Sequence, residues 1–371
     1  MQIPFLSFDA INERIGPELI TAFRDVLDSK WYILGRKVKQ FEEEYAQFND
    51  VKHCIGVSNG LDALHLCLKA LGVQKDEEVI VPSNTYIATV LAISYVGARP
   101  VFVEPDKKTF NIDPQKIAAA ITNKTKVILP VHLYGQCCVM ETIMEIAEKF
   151  GLYVVEDNAQ SHASMYNGKM AGSFGHLNAT SFYPGKNLGA LGDAGAVTTN
   201  DPAFAEKVRI LRNYGSEKKY YNEMVGYNMR LDELQAALLS TKLPVLSEWT
   251  KERQQIASWY DNALRKITEI ILPQSAEGST HVYHVYAIRT KARDALQAYL
   301  TEQGIGTLIH YPVPPHLQKA YRYLGFKKND FPIAEEMAAT CLSLPLWPGM
   351  KQEQVHQVAE KIGNFFKSHV D

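Results

Sequence analysis

From about residue 50 to residue 200, short β-rich runs alternate with segments whose apolar residues recur at three- and four-residue steps. The β-rich runs are EVIVPS, RPVFVEP, KVILPVHLYG, LYVVEDNA, NATSFYPG and GAVTTN. Between them lie the helical patterns LDALHLCLKALG, IATVLAISYVG, PQKIAAAI and METIMEIAEKFG, several of them ending in Gly. This alternation predicts βαβ units, hence an α/β fold with a mostly parallel sheet and helices on both faces. In such sheets ligands settle beyond the carboxyl ends of the strands, so the loops after these runs are where chemistry is expected.

After residue 200 the alternation fades. The stretch RLDELQAALLSTKLPVLSEWTKERQQIASWYDNALRKI reads as helix on both sides of Pro244, which should break or kink it. The remainder, with VYHVYAIRT, ARDALQAYLTEQG, the proline-rich HYPVPPH and a final amphipathic helix, predicts a smaller α+β domain. The expected division is a large domain at residues 1–248 and a small C-terminal one at 249–371.

Composition narrows the class. With 371 residues, 46% of them hydrophobic and 22% charged, the chain can bury a large core. A formal charge of −2, from 39 basic and 41 acidic residues dispersed along it, leaves no footprint for nucleic acid or an anionic membrane. Small molecules are the expected partners. Cys54, Cys67, Cys137, Cys138 and Cys341 are odd in number and lack paired CxxC spacing, so they read as reduced thiols and no metal site is expected. The start of the chain has no long apolar run and no later stretch could span a bilayer, which points to the cytoplasm.

Three segments could hold a cofactor. In LYVVEDNAQSHAS, Asp157 and Gln160 follow a buried strand, and a buried carboxylate needs a partner. That partner is either a helix N-terminus, since Asp is a good N-cap, or a protonated pyridine nitrogen whose ring absorbs a carbanion's charge. In SFYPGKNLGALGDAGAV, Lys186 sits in a Gly-rich turn after another strand, with Ser181 ahead of it. Alone, Lys186 reads as a solvated loop residue; beside Asp157 and Ser181 it suits an aldehyde cofactor, because lysine forms Schiff bases where burial lowers its pKa. In GVSNGLDALHLCLKALG, Ser58, Asn59 and Gly60 begin a helix, as an ordinary N-cap or as a phosphate cradle. Tyr86, after the next strand, is either core or a ring stacked on the cofactor.

Together SNGLDAL, EDNAQSH, SFYPGKN and GYNMRLDELQAA resemble the sugar-nucleotide aminotransferase family of the DegT/DnrJ/EryC/StrS type. The resemblance implies the aspartate-aminotransferase-like fold (pyridoxal-phosphate fold type I) and pyridoxal 5'-phosphate as cofactor, with pyridoxamine phosphate as its aminated form. It implies that Lys186 forms the internal aldimine, Asp157 pairs with the pyridine nitrogen and Gln160 touches the ring hydroxyl. It also places Ser181 and the backbone of Asn59 and Gly60 on the phosphate, Tyr86 on the ring, and Asn228 on the phosphate of the partner subunit's site. The family is thus expected to form homodimers with shared active sites, and the apolar helix after GYNMR to pack against the twofold partner.

A narrower similarity, through WYILGRKVKQFEEEYA and GIGTLIHYPVPPHLQ, is to members that aminate carbon 3 of a dTDP-linked 3-keto-6-deoxyhexose, with L-glutamate as the expected donor. It implies nucleotide-sugar contacts at Lys219, Tyr220, Tyr221, His310 and Tyr311, and Tyr183 near the reacting sugar. The alternatives are a 4-keto-sugar aminotransferase, a related dehydratase, which would carry His in place of Lys186, and a non-catalytic regulator. Two departures stand out: Ala163 where the family often has Gly, and Asp193–Ala194 where GEGGA is commoner.

Overall fold

Every β-rich run read from the sequence is a strand in the computed structural model, which describes residues 2–369. In chain order they are β1 (His53–Val57), β2 (Glu78–Pro82), β3 (Arg99–Val103), β4 (Thr125–Ile128), β5 (Tyr153–Asp157), the short hairpin β6 (Met165–Tyr166) and β7 (Lys169–Met170), then β8 (Leu177–Ser181) and β9 (Gly195–Thr199). Seven of them form one sheet in the order β1-β9-β8-β5-β4-β2-β3. The run from β3 to β8 is parallel, and β9 alone opposes its neighbours. β1, β6 and β7 are additions to the six expected strands. Glycine interrupts the short run HCIGV, and Gly56 is needed because a Cβ there would come within 2.6 Å of the Leu231 side chain.

Helices cover both faces, which is why these strands read as near-continuous apolar runs. On one side the helix Gly60–Ala70 buries Ala63, Leu64, Leu66, Cys67 and Leu68 against Val57, Val81 and Val155. On the other, Met140, Ile143 and Ala147 of the helix Met140–Phe150 pack on Ile80, Ile128 and Val154. The PQKIAAAI segment is shorter than its periodicity suggests: one α-turn, Pro114–Ile117, continued by the 3-10 turn Ala118–Ala120.

At Pro244 the expected break is a 3-10 turn, Leu243–Val245, between the helices Glu233–Lys242 and Leu246–Leu264. Ring closure removes the proline N–H, and the chain tightens rather than turning away. The division at 248/249 falls inside the second helix: Leu246 packs with Phe182 and Leu188, while Ile256 and Tyr260 join a cluster with Leu342, Val355 and Ile362. That cluster includes Ile3, whose N–H bonds to the Gly304 carbonyl at 2.9 Å and whose carbonyl accepts from Gly306 at 2.8 Å. Its strands, Tyr286–Arg289 and Cys341–Leu344, pair antiparallel. Among the described residues no helix is long and apolar enough to cross a membrane, no acidic, His or Cys cluster could hold a metal, and all five cysteines are free and buried.

Candidate active site

The carboxyl ends of β5 and β8, the N-terminus of the helix Gly60–Ala70 and the segment Leu308–Tyr311 enclose a cavity of about 650 Å³. Ten of the fourteen residues to which the resemblance gives a role line it: Asn59, Gly60, Tyr86, Asp157, Gln160, Ser181, Tyr183, Lys186, His310 and Tyr311; Ser58 does not.

Asp157 ends β5 and is buried. It caps no helix; Thr89 Oγ1 donates to its Oδ2 at 2.9 Å and the Ala159 N–H to its Oδ1 at 3.1 Å. Burial raises its pKa, against those two hydrogen bonds and the charge of Lys186. Lys186 is partly open to the cavity, and among the described residues its Nζ makes no hydrogen bond or ion pair. Burial brings its pKa down to about 8, with Asp157 pulling the other way. The site thus holds an amine close to its free, nucleophilic form and a carboxylate short of a cationic partner.

The end of the cavity at Ser181 suits a phosphate. A Cβ on Gly60 would stand 2.6 Å from the Ser181 Cβ, and one on Gly195 would stand 2.4 Å from the Asn59 carbonyl. Only glycine lets the helix start approach the ends of β8 and β9 this closely. Asn59 is the N-cap, its Oδ1 accepting the Asp62 N–H at 2.9 Å. The N–H groups of Gly60 and Leu61 have no acceptor within the helix, and both residues line the cavity under the positive end of the helix dipole. The N-cap reading therefore holds, and the same helix start leaves two backbone donors that could receive a phosphate.

Tyr86, half exposed, lies with its ring centroid 5.0 Å from that of Tyr311. Gln160 accepts the Tyr134 N–H at 2.7 Å and donates to Tyr311 Oη at 3.0 Å. His310 Nδ1 is 2.8 Å from Ser343 Oγ, and burial followed by the charge of Lys186 lowers its pKa to about 4, so the imidazole is neutral. The donor set fits a pyridoxal phosphate, which Gly60, Leu61, Ser181, Tyr86, Ala159, Asp157 and Lys186 would hold.

Four expected residues lie outside this chain's cavity. Lys219, Tyr220 and Tyr221 sit in the hairpin of β10 (Ser216–Lys218) and β11 (Tyr221–Asn222), with Tyr220 85% exposed and Lys219 Nζ 5.1 Å above its ring. Asn228 is exposed and bridges to Asn213. Conversely, the cavity holds residues that the sequence did not offer for the site: Thr89, which reads as one more inward position of a helix, and His284, whose buried Nδ1 has no hydrogen-bond partner among the described residues. Phe5, Leu6, Leu308 and Leu346 form an apolar wall. Ala163 adopts φ 68°, the left-handed region that favours glycine, and Asp193 lines the cavity.

The chain matches the DegT/DnrJ/EryC1/StrS aminotransferase family over residues 13–363. It is 52% identical to a dTDP-3-amino-3,6-dideoxy-alpha-D-galactopyranose transaminase of Aneurinibacillus thermoaerophilus, covering 98% of this chain and 99% of that one. It is 46% identical to a pleiotropic regulatory protein of Geobacillus stearothermophilus, over 99% of each. Among solved structures, DesV of S. venezuelae, in complex with a ketimine intermediate, superposes with a TM-score of 0.97 at 44% identity and full coverage of both chains. NtdA of Bacillus subtilis with bound cofactor PMP gives 0.91 at 31%, covering 99% of this chain and 86% of that one.

Proposed function

The chain belongs to the DegT/DnrJ/EryC1/StrS aminotransferase family, and from that membership we propose that it transfers an amino group from L-glutamate to carbon 3 of a dTDP-linked 3-keto-6-deoxyhexose. The product is a dTDP-3-amino-3,6-dideoxyhexose. One observation carries the reading: Lys186, with its lowered pKa, and the buried Asp157 face the same cavity. The transaminase relative at 52% identity supports carbon 3 over carbon 4. A relative named for regulation shares the chain's full length, but a protein that only binds has no need of a free amine poised in this cavity.

Pyridoxal phosphate, when bound, supplies an aldehyde that exchanges amino groups and a ring that absorbs a carbanion's charge. Lys186, close to half-protonated near pH 8, would move a proton away from the donor's α-carbon in the first half of the exchange and deliver one to the sugar carbon in the second. Asp157 holds negative charge at the far end of the ring, kept in place by Thr89 and the Ala159 N–H. Gln160, fixed by the Tyr134 N–H, keeps one amide hydrogen for the ring hydroxyl. Gly60, Leu61 and Ser181 anchor the phosphate, and Tyr183, His310 and Tyr311 receive the sugar.

The remaining four residues serve the neighbouring site of a homodimer in this reading, Asn228 on its cofactor phosphate and Lys219, Tyr220 and Tyr221 on the nucleotide. Lys219 and Tyr220 offer a cation and an aromatic face, which suit a diphosphate and a base. The helix after GYNMR packs within its own chain on the helices Asp9–Ser29 and Arg36–Phe48. Exposed apolar side chains lie at Ile20, Phe23, Leu27, Trp31 and Tyr32, and these are the proposed twofold contact. Turnover in the cytoplasm is part of the same proposal.

The test is a panel of thymidine- and uridine-linked 3-keto and 4-keto sugars offered to the aminated enzyme, scored by loss of amino group from the cofactor. A thymidine-linked 3-keto-6-deoxyhexose is expected to react fastest. A clear preference for a 4-keto sugar would overturn the assignment.

A further inference from the structure

One helix grips the loop that carries Lys186 at two points. In Glu233–Lys242, residues 235 and 242 are seven apart, close to two turns, so both side chains leave the same face. Gln235 Oε1 accepts the Leu191 N–H at 2.9 Å, and Lys242 Nζ donates to the Gly189 carbonyl at 2.7 Å. Within the loop the Lys186 N–H bonds to the Tyr183 carbonyl and the Ala190 N–H to that of Phe182, both at 2.8 Å. Gly189 approaches Pro184 so closely that a Cβ would lie 2.2 Å from its carbonyl oxygen. The helix is itself held: Glu233 accepts the N–H groups of Gly35, Lys37 and Val38 at 2.7 to 2.9 Å.

Lys242 is the unexpected member. It is 5% exposed, and among the described residues it forms no ion pair; its recorded acceptor is the Gly189 carbonyl. An ammonium buried without a carboxylate is costly to the fold, and burial lowers its pKa to about 8. An apolar side chain of similar length would fill the space at less cost. Stability therefore does not account for a lysine at this position, whereas a donor aimed at the turn after Lys186 does.

We infer that Gln235 and Lys242 are positioning residues for Lys186, clamping the loop on its C-terminal side so that the amine stays in the cavity beside Asp157. Neither residue lines the cavity, so both act through the backbone of the loop. The inference rests on Lys186 being the lysine that the cofactor uses.

The test uses the full-length holoenzyme with Lys242→Met, Gln235→Leu and Gln235→Glu. A backbone shift at a reacting group costs up to about 100-fold in rate, so Lys242→Met and Gln235→Leu should lose about 10- to 100-fold in kcat with KM within about twofold. Lys242→Met should melt no lower than wild type. Gln235→Glu retains an acceptor for the Leu191 N–H and should recover most of the kcat. The second readout is independent of turnover: after removal of the cofactor, the pH midpoint for acylation of Lys186 by acetic anhydride, followed by peptide mass spectrometry. In wild type it should lie near 8, and in the two disabling variants it should move up toward the ordinary lysine value of 10.5. An unmoved midpoint, or kcat losses that merely follow losses in Tm with both Gln235 variants alike, would overturn the clamp. If Lys242→Met does not fold, the Gln235 pair decides alone. Wild-type turnover by Lys186→Ala would instead overturn the reading of the site, and the clamp with it.

Discussion

Burial acts on Lys186 and Asp157 in opposite directions, lowering one pKa and raising the other, and leaves room between them for a ligand that is cationic at one end and an aldehyde at the other. Lys186→Ala should cut turnover at least about a thousandfold, in line with loss of a proton-transfer group, while the protein still folds and holds cofactor noncovalently. Borohydride should then fix no cofactor to it; near wild-type turnover would show that another lysine serves. Asp157→Ala should cost about 100-fold and Gln160→Ala about 10-fold, because the first removes a charge at the ring nitrogen and the second a hydrogen bond. Equal small losses in steady-state rates would place both residues outside the site. The lysine's lowered pKa has a stability counterpart: an unfolded lysine titrates near 10.5 and this one near 8, so the folded state bears the cost of the charge fully below pH 8 and sheds it as pH rises to 10.5. In cofactor-free protein, Lys186→Met should therefore raise Tm at pH 7, and the gap should close by about pH 10.5. Lys186, Asp157, Gln160 and Ser181 were legible as cavity residues because each lies at or just beyond the carboxyl end of a strand, where the fold class predicts ligands. Thr89 was not, because its tie to Asp157 spans 68 residues and its own surroundings read as helix interior.

At the scale of elements, the turns after strands do the positioning, and two positions there are set by backbone rather than side-chain chemistry. Ala163 holds φ 68°, where an L residue other than glycine is strained by about 1 kcal/mol or more. Ala163→Gly should raise stability by about 0.5 kcal/mol once the entropy gained by the unfolded chain is subtracted, read as an increase in the denaturant midpoint; a fall would mean that the Ala163 methyl contributes packing that outweighs the strain. Gly60→Ala should leave the fold intact but weaken cofactor binding about tenfold or more, measured by equilibrium titration, because its Cβ would push against Ser181 at the phosphate end. Unchanged affinity would remove the phosphate from that helix start. The six strands and the Pro244 break were legible from periodicity and proline chemistry. β1 was not, since Gly56 interrupts its short apolar run, and its pairing with β9 joins residues far apart in the chain.

For the whole molecule, the proposed shared site accounts for the four expected residues that miss their own chain's cavity. Lys186→Ala and Asn228→Asp should each be inactive or badly impaired alone. Unfolded, mixed equally and refolded, about half of the dimers should be mixed, each with one intact site, so activity should return to roughly a quarter of wild type. No recovery, with subunit exchange confirmed, would assign Asn228 to its own chain. Sequence periodicity cannot reveal or exclude such an arrangement, because it reports which face of an element is apolar and not which chain covers it; the exposed Phe23, Leu27 and Trp31 are read only from the fold. The most direct measurement of the central claim follows the amino group itself. With 15N-labelled glutamate and a dTDP-linked 3-keto-6-deoxyhexose, NMR of the product should find the label bonded to carbon 3 with wild-type protein and no labelled product with Lys186→Ala. Label at carbon 4, or label transferred equally well by Lys186→Ala, would contradict the account.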